Sequence, residues 1–348
     1  MSRYERQTRF APFGEEGQQK LSSSQILIFG AGALGSHIVD QLARMGAHHI
    51  AIVDMDIVEI SNLHRQTLFD EEDAHTLISK VEAIKHKVNQ ININVNLTTY
   101  DLEVTSSNIE NLIKNVEPDI IIDGMDNFKI RYLINEVCHK YQIPWVYGAA
   151  VGSKGSVYGI DHQGPCLKCL LQTIPDTGES CAINGVLPPV ISMIASYEVA
   201  EAVRYLSGKG FSKQLITIDA FNINYKSMNV DALKNKDCPV CEKHEYTLLE
   251  SQQERTIEDL CGNAYLFRFP PKAFKHAAHF PGNMVKSTSF AKLIQYQTYE
   301  FTLFKDGRMN AYGIHNDEEA HHLYNTLLKS IRCLLYTSDA ADEEDSGD

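Results

Sequence analysis

Gln25-Ile26-Leu27-Ile28-Phe29-Gly30-Ala31-Gly32-Ala33-Leu34-Gly35 is the stretch on which the fold turns. The β-rich run Gln25 to Phe29 leads into Gly30-x-Gly32-x-x-Gly35, after which Ile38, Leu42 and Met45 recur at helical spacing as far as Gly46. That pattern is strand, tight turn, helix. A second apolar run, Ile50 to Val53, ends at Asp54 and completes a β-α-β unit with a crossover that should be right-handed. Gly30 permits the turn, Gly32 lets backbone approach a phosphate, and Gly35 allows the helix to pack closely on the strand. The helix N-terminus then offers free N–H groups to an anion. Asp54 is placed to accept hydrogen bonds from ribose hydroxyls. The unit reads as a nucleotide site and leaves NAD and ATP both open. A Walker-type Gly-x-x-x-x-Gly-Lys-Ser/Thr is absent, so an ATP user must bring charge for the phosphates from elsewhere.

Working outward, β-like runs follow at Asn94 to Tyr100, Asp119 to Ile122 and Trp145 to Ala149, with helical patterns around Asn108 to Lys114 and Lys129 to Lys140 between them. This alternation predicts an α/β fold with a doubly wound, mainly parallel, Rossmann-like sheet. The strands at Ser156 to Ile160 and Leu215 to Tyr225 lack helices of the same rhythm and should extend the sheet antiparallel. Between them Pro189 to Leu206 reads as a long apolar helix ending at Gly208. The nucleotide-binding domain should span 1–245, with a polar Glu/Gln-rich linker at 246–255. A small α/β module is expected over 256–333. Its clearest parts are a hairpin around Lys305-Asp306-Gly307-Arg308 and a helix from near Asn316. The stretch 334–348 is acidic and aperiodic and is expected to be disordered.

At 348 residues with 43% apolar and 22% charged residues the composition is that of a globular protein, and no apolar run approaches a membrane span. No apolar segment follows Arg3, Arg6 and Arg9, so no secretory signal is expected and the cytoplasm is the expected location. A net charge of −13 makes nucleic acid a poor partner. Six of those negative charges lie in the last ten residues, which leaves the body moderately acidic at −7.

Eight cysteines in a reducing compartment point to metal or thiol chemistry. Cys166-x-x-Cys169 and Cys238-x-x-Cys241 form two knuckles that can close a tetrahedral Zn2+ site. With all four positions filled by sulfur, no place remains for water or substrate, so that zinc should be structural. Nearer the presumed nucleotide, Asn62, Arg65 and Gln66 follow the second strand, Lys80 lies one segment later, and Asp123, Asp126 and Asn127 end the Ile120 to Ile122 run. Arg and Lys at strand ends can neutralise a polyphosphate, and a carboxylate there can hold Mg2+.

These residues make the sequence resemble the ThiF/MoeB-type adenylyltransferases, relatives of ubiquitin-activating enzymes that serve molybdopterin and thiazole biosynthesis. The resemblance covers about 2–241. It rests on Arg3-Tyr4-Glu5-Arg6-Gln7, Gly30 to Gly35, Val53-Asp54-x-Asp56, Ser61-Asn62-Leu63-x-Arg65-Gln66, Lys80-Val81-Glu82, Asp123-x-x-Asp126-Asn127 and both cysteine pairs. It implies ATP- and Mg2+-dependent adenylation of the terminal glycine carboxylate of a small ubiquitin-like sulfur carrier, the molybdopterin-synthase small subunit first and the thiazole carrier next. It also implies a homodimer in which Arg6 enters the partner subunit's site. Asp54, with Asp56 beside it, would contact the ribose; Asn62, Arg65 and Lys80 the phosphates; and Asp126, with Asn127 following, the magnesium. A sulfurtransferase or cysteine desulfurase would supply sulfur. Cys181 is either a thiol that attacks the acyl-adenylate or joins a persulfide relay, or a loop cysteine with no chemical duty. Cys138, Cys261 and Cys333 read as packing or incidental thiols.

The alternatives are an NAD-dependent oxidoreductase, which leaves Arg6, Arg65 and Lys80 without a purpose, and an adenylating relative that acts on a tRNA base. The acidic body and the intact cysteine pairs tilt against the second. A non-catalytic scaffold is disfavoured while Arg6, Arg65, Lys80 and Asp126 are all present.

Overall fold

The computed structural model describes residues 3–171, 185–251, 255–260 and 264–337, with side chains to residue 331. Cys181, Cys261 and the acidic stretch 338–348 lie outside the described residues, and Cys333 lies outside the described side chains. The chain forms two compact units, 1–75 with 79–252 and 76–78 with 253–348.

In chain order the elements begin α1 (Glu5–Thr8), α2 (Gly14–Ser23), β1 (Gln25–Phe29), α3 (Ala33–Met45), β2 (His49–Asp54), α4 (Glu71–Thr76), α5 (Lys80–Ile91) and β3 (Asn96–Asp101). They continue α6 (Ile109–Val116), β4 (Ile120–Asp123), α7 (Phe128–Tyr141), β5 (Trp145–Val151), β6 (Lys154–Ile160) and α8 (Leu167–Leu170). The first unit closes with α9 (Pro188–Arg204), β7 (Gln214–Asp219), β8 (Asn224–Asn229) and α10 (Thr247–Glu250).

One sheet orders these strands β3-β2-β1-β4-β5-β6-β7-β8. Pairs from β3 through β5 are parallel and pairs from β5 through β8 antiparallel, as the loss of helical rhythm after Ala149 implies. Ile26, Leu27, Ile28 and Phe29 are wholly buried because a central parallel strand is covered on both faces, which is why β1 reads as an unbroken apolar run. The order reverses at β1: β2 and β3 lie on one side and β4 on the other, so the loops after β1 and β4 flank a crevice at the carboxyl edge.

The expected linker is in part ordered structure. The backbone N–H groups of Leu248 and Leu249, at the start of α10, both donate to Glu136 Oε2, at 2.9 and 3.0 Å. Their side chains pack on the core of the first unit. A carboxylate supplied from α7 satisfies the free donors of a helix N-terminus. That partner lies 112 residues away in the chain, so local composition could not reveal it.

The second unit carries β9 (Ile257–Asp259), β10 (Ala264–Arg268), α11 (Lys272–Lys275), β11 (Asn283–Ser287), β12 (Ala291–Tyr296), β13 (Tyr299–Phe304), β14 (Arg308–Tyr312) and α12 (Asp317–Thr337). Its sheet runs β11-β12-β13-β14-β10-β9 and every pair is antiparallel. Phe267, Phe301, Leu303 and Met309 bury against Ala320, Leu323, Leu327 and Ile331, one stripe of α12 at helical spacing. That helix runs to Thr337, past residue 333 where the module was expected to end, because a helix carries its regular hydrogen bonds beyond its last apolar contact.

A glycine-turn crevice and a four-thiol cluster

Gly30 adopts φ +90°, and a Cβ there would lie 2.6 Å from the carbonyl oxygen of Gly124. A Cβ on Gly35 would lie 1.9 Å from the carbonyl oxygen of Gly30. Only glycine fits either place. Gly32 is different: the nearest neighbour of a Cβ there is Gln66 Nε2 at 3.9 Å, so the turn is open above it. The loops after β1 and β4 therefore touch at Gly30 and leave the backbone at Gly32, before the start of α3, open to close approach.

Asp54 ties this turn down. Its Oδ2 accepts from Ala31 N–H at 2.7 Å and its Oδ1 from Asp56 N–H at 2.8 Å. Burial pushes the Asp54 carboxyl up, against the pull of Lys80 and the two N–H donors. Lys80, the first residue of α5, is buried; its Nζ donates to Asp56 Oδ2 at 2.8 Å and its N–H to the Asp56 carbonyl at 2.9 Å. Burial alone would lower the Lys80 ammonium, but Asp56, Asp54 and more weakly Asp126 hold it above the usual lysine range. The structure thus gathers Gly30, Gly32, Gly35, Asp54, Asp56 and Lys80, with Asp126 within electrostatic reach.

Other expected residues are placed less directly. Asn62 is buried beside Ser61, whose hydroxyl lies 3.4 Å from Asn62 Nδ2, and the half-buried Arg65 donates from Nη1 to the Ser61 carbonyl at 2.8 Å. Asp126 is exposed on the turn after β4. Asn127 is the N-cap of α7, its Oδ1 accepting from Lys129 N–H at 2.8 Å. Asp123 has no access to solvent or metal: it is wholly buried, with Oδ2 bound by Arg131 Nε at 2.9 Å and Oδ1 by Met125 N–H at 2.9 Å.

Arg6 is exposed, and among the described residues its side chain makes no hydrogen bond or ion pair. Its neighbours are anchored instead. Gln7 Nε2 donates to the Met45 carbonyl at 2.8 Å, and Tyr4 Oη accepts from Asn92 Nδ2 at 2.9 Å. Met45 ends α3, whose first residue opens the phosphate turn, so the anchor lies about 18 Å along the helix from that turn.

Several residues at the site went unassigned in the sequence reading. Arg131 donates from Nη2 to the carbonyls of Met125 and Gly148, the latter at 2.8 Å, and so braces the Asp126 turn on β5. Glu198 of α9 is wholly buried with neither carboxyl oxygen paired, its carboxyl pressed on Gly148. Burial and the nearby Asp123 push it well above the usual carboxylate range. A lone carboxylate inside the apolar stretch Val190 to Val199 was the available signal. Gln66, buried with Oε1 unpaired, was quoted in a motif and given no role.

Beside the crevice a 740 Å3 groove crosses the sheet, lined by Phe128 and Tyr147 and by the cross-strand row Ala149, Ser156, Thr217 and Lys226. Elsewhere in this unit Cys166, Cys169, Cys238 and Cys241 are buried together with their Sγ atoms within 4.8 Å of one another. Three edges measure 3.5, 3.6 and 3.9 Å. A tetrahedron of sulfurs each ~2.3 Å from zinc has edges of about 3.8 Å, so this set fits that ion. Asn235 N–H adds a donor to Cys169 Sγ at 3.5 Å.

The profile of the ThiF family matches residues 4–240, which takes in the crevice and all but the last of the four thiols. The chain belongs to the ThiF family. One similar ThiF-family relative is the sulfur carrier protein ThiS adenylyltransferase of Bacillus subtilis (strain 168), 32% identical over 331 residues, covering 93% of this chain and 98% of that protein. Another is the molybdopterin-synthase adenylyltransferase of Escherichia coli (strain K12), 32% identical over 245 residues, covering 69% of this chain and 96% of that protein. Among solved structures, the crystal structure of E. coli MccB with ATP has a TM-score of 0.59 at 23% identity, covering 69% of this chain and 74% of that one. This last likeness speaks for the fold alone. No helix among the described residues is long and apolar enough to cross a membrane.

Proposed function

We propose that this ThiF-family chain uses ATP and Mg2+ to adenylate the C-terminal glycine carboxylate of a small ubiquitin-like sulfur-carrier protein, releasing pyrophosphate, as a cytoplasmic homodimer. The observation that carries the reading is the family match across the unit in which Gly32, Asp54, Asp56 and Lys80 converge. The carrier carboxylate forms a new O–P bond at the α-phosphorus while the bond to the β-phosphate bridging oxygen breaks, and pyrophosphate leaves. Two anions must meet, and the acyl-adenylate they form, a mixed anhydride, needs no proton transfer because the nucleophile is already ionised. Charge neutralisation and in-line placement are therefore the catalytic needs.

In this reading the phosphates lie over Gly32 and meet Lys80, Arg65 and Asn62, while Asp54 and Asp56 face the ribose. Lys80 stays fully charged because Asp56 and Asp54 surround it. Asp126, with Asn127 beside it, would hold Mg2+ together with phosphate oxygens, the usual arrangement for an ion that keeps few protein ligands. The ion supplies further neutralisation of the phosphates. The cross-sheet groove admits the extended carrier tail toward Asp126. Arg6, too distant for its own turn, completes the site of a second copy. The four-thiol cluster holds a structural Zn2+ and clips the chain before α9 to the chain after β8. Cys181 is proposed as the thiol that attacks the acyl-adenylate, forming a thioester as AMP leaves, and a sulfurtransferase or cysteine desulfurase would supply the sulfur.

The thiazole-type carrier is placed ahead of the molybdopterin-synthase type. The relative named for ThiS aligns through both units, whereas the one named for molybdopterin synthase aligns over 69% of this chain. The test is pyrophosphate release from ATP with each purified carrier, and with each carrier lacking its terminal glycine. Release with either intact carrier and none with the truncated ones is expected. No release with any carrier, in enzyme that binds ATP, would sink the reading.

A further inference from the structure

α9 buries two carboxyl groups whose surroundings differ. Glu201 Oε2 accepts from Ser212 N–H at 2.9 Å, whereas neither carboxyl oxygen of the wholly buried Glu198 has a hydrogen-bond partner among the described residues. An unpaired acid in an apolar interior is costly to a fold. Its place is narrowly defined: a Cβ on Gly148 would lie 2.1 Å from Glu198 Cδ, so the carboxyl fills the space that a side chain on β5 would take.

Gly148 is also where Arg131 is held. The guanidinium donates from Nη2 to the Gly148 carbonyl at 2.8 Å and to the carbonyl of Met125, the residue before Asp126. From Nε it donates to Asp123 Oδ2 at 2.9 Å. Its Cζ lies 5.3 and 5.5 Å from the ring centroids of Phe128 and Tyr147. One cation thus serves Asp123 and the Asp126 turn together. The titratable groups that act on Glu198 are Asp123 of β4, Arg131 of α7 and Tyr147 of β5. α3 and β6 also pack on α9, but their His37, Asp40, Arg44, Lys154 and Tyr158 do not act on its charge. With Glu198 protonated, Arg131 and Asp123 cancel; with Glu198 ionised, two carboxylates compete for one guanidinium.

We propose that Glu198 is a positioning residue for adenylation: its protonated form leaves Arg131 on the Met125 carbonyl, and its ionised form draws the guanidinium away and loosens the turn that carries Asp126. The proposal rests on the reading of Asp126 as the Mg2+ ligand. As pH rises the buried acid gives its proton to hydroxide, and the guanidinium, which keeps its own protons, turns to the new charge. The Met125 carbonyl then loses its donor, and a metal ligand without its support binds the ion less tightly. Burial and Asp123 oppose the ionisation, so the change belongs on the alkaline side.

The test is pyrophosphate release from ATP with the intact thiazole-type carrier, titrated with Mg2+ at pH 7.5 and pH 9.5 in the unaltered enzyme and in Glu198→Gln. In the unaltered enzyme the Mg2+ concentration for half-maximal release should rise about tenfold between the two, the low end of what a lost supporting contact costs a metal ligand. Glutamine keeps the shape and has no proton to lose, so its two values should agree within about twofold. A role confined to packing would move the melting temperature and leave this difference in place. Should the glutamine variant fail to fold, Glu198→Met takes its place. An unaltered enzyme with a flat requirement, or a variant that rises in step with it, overturns the proposal. Asp126→Asn separates the two readings. A raised Mg2+ requirement in its residual activity, beside coinciding profiles for the Glu198 pair, removes Glu198 alone; an unchanged requirement removes Asp126 as the ligand and this proposal with it.

Discussion

Lys80 Nζ and Asp56 Oδ2 meet at 2.8 Å with the lysine buried and the aspartate half open to solvent. The lysine is held charged at the mouth of the crevice while its partner stays exchangeable for a phosphate oxygen. Lys80→Ala should lower kcat/KM for pyrophosphate release by about 10^2-fold or more, the scale of losing one electrostatic donor. It also removes the cation that faces Asp54 and Asp56, at a cost of ~1–2 kcal/mol at neutral pH after allowing for the exposure of Asp56. Thermal unfolding and steady-state kinetics check the two effects separately; near-normal turnover would remove Lys80 from the site.

Arg6 and Asp126 give a complementation experiment. Arg6→Ala should fold and associate normally yet lose most adenylation, since a delocalised, always-charged fork suits polyphosphate better than other side chains. Asp126→Ala should be inactive at its own site while donating a sound Arg6. Mixed subunits should then regain activity, because one site of each heterodimer combines intact Asp126 with intact Arg6. Pyrophosphate release after subunit exchange, with heterodimers verified by native mass spectrometry, is the readout. Confirmed heterodimers without recovery would mean that Arg6 acts within its own chain or not at all.

Elemental analysis should find one zinc per folded chain, bound by Cys166, Cys169, Cys238 and Cys241. Cys169→Ser should retain little metal and precipitate or unfold at lower temperature, because metal binding to a closed four-thiolate site is folding free energy. Well-folded, reduced protein without zinc would contradict this.

Glu198→Gln should stabilise the chain, and increasingly so as pH rises. The carboxyl's folded pKa lies well above its unfolded value of 4.5, so its contribution is present below that value and is lost as pH climbs through the folded one. The unfolded carboxylate ionises while the buried one resists. Glutamine keeps the shape and removes the titration. Melting temperatures of the two proteins should coincide near pH 4 and differ by about 4 °C at pH 7.5, corresponding to ~1–2 kcal/mol. A difference independent of pH would show that Glu198 is ionised in the fold.

The β-α-β opening, the antiparallel extension and the pairing of the two cysteine knuckles were all legible in the sequence. Each is written in local spacing: apolar period, glycine at positions that admit no Cβ, thiols three residues apart. The residues around the crevice were legible only as motifs in family order, since nothing local in Arg65 or Lys80 distinguishes a phosphate ligand from a surface charge. Cys181 lies outside the described residues, and its part rests on the sequence alone.

What tertiary structure decided were pairings between groups far apart in the chain. Burial turned Asp123 from a candidate metal ligand into the partner of Arg131, and gave Glu136 to the N-terminus of α10. It left Glu198 with no hydrogen-bond partner among the described residues. The physical reason is common to these cases. Sequence spacing states which side chains share a strand or a helix face, but whether a charge is solvated, paired or stranded depends on what another segment places against it, and in a low-dielectric interior that decides its chemistry.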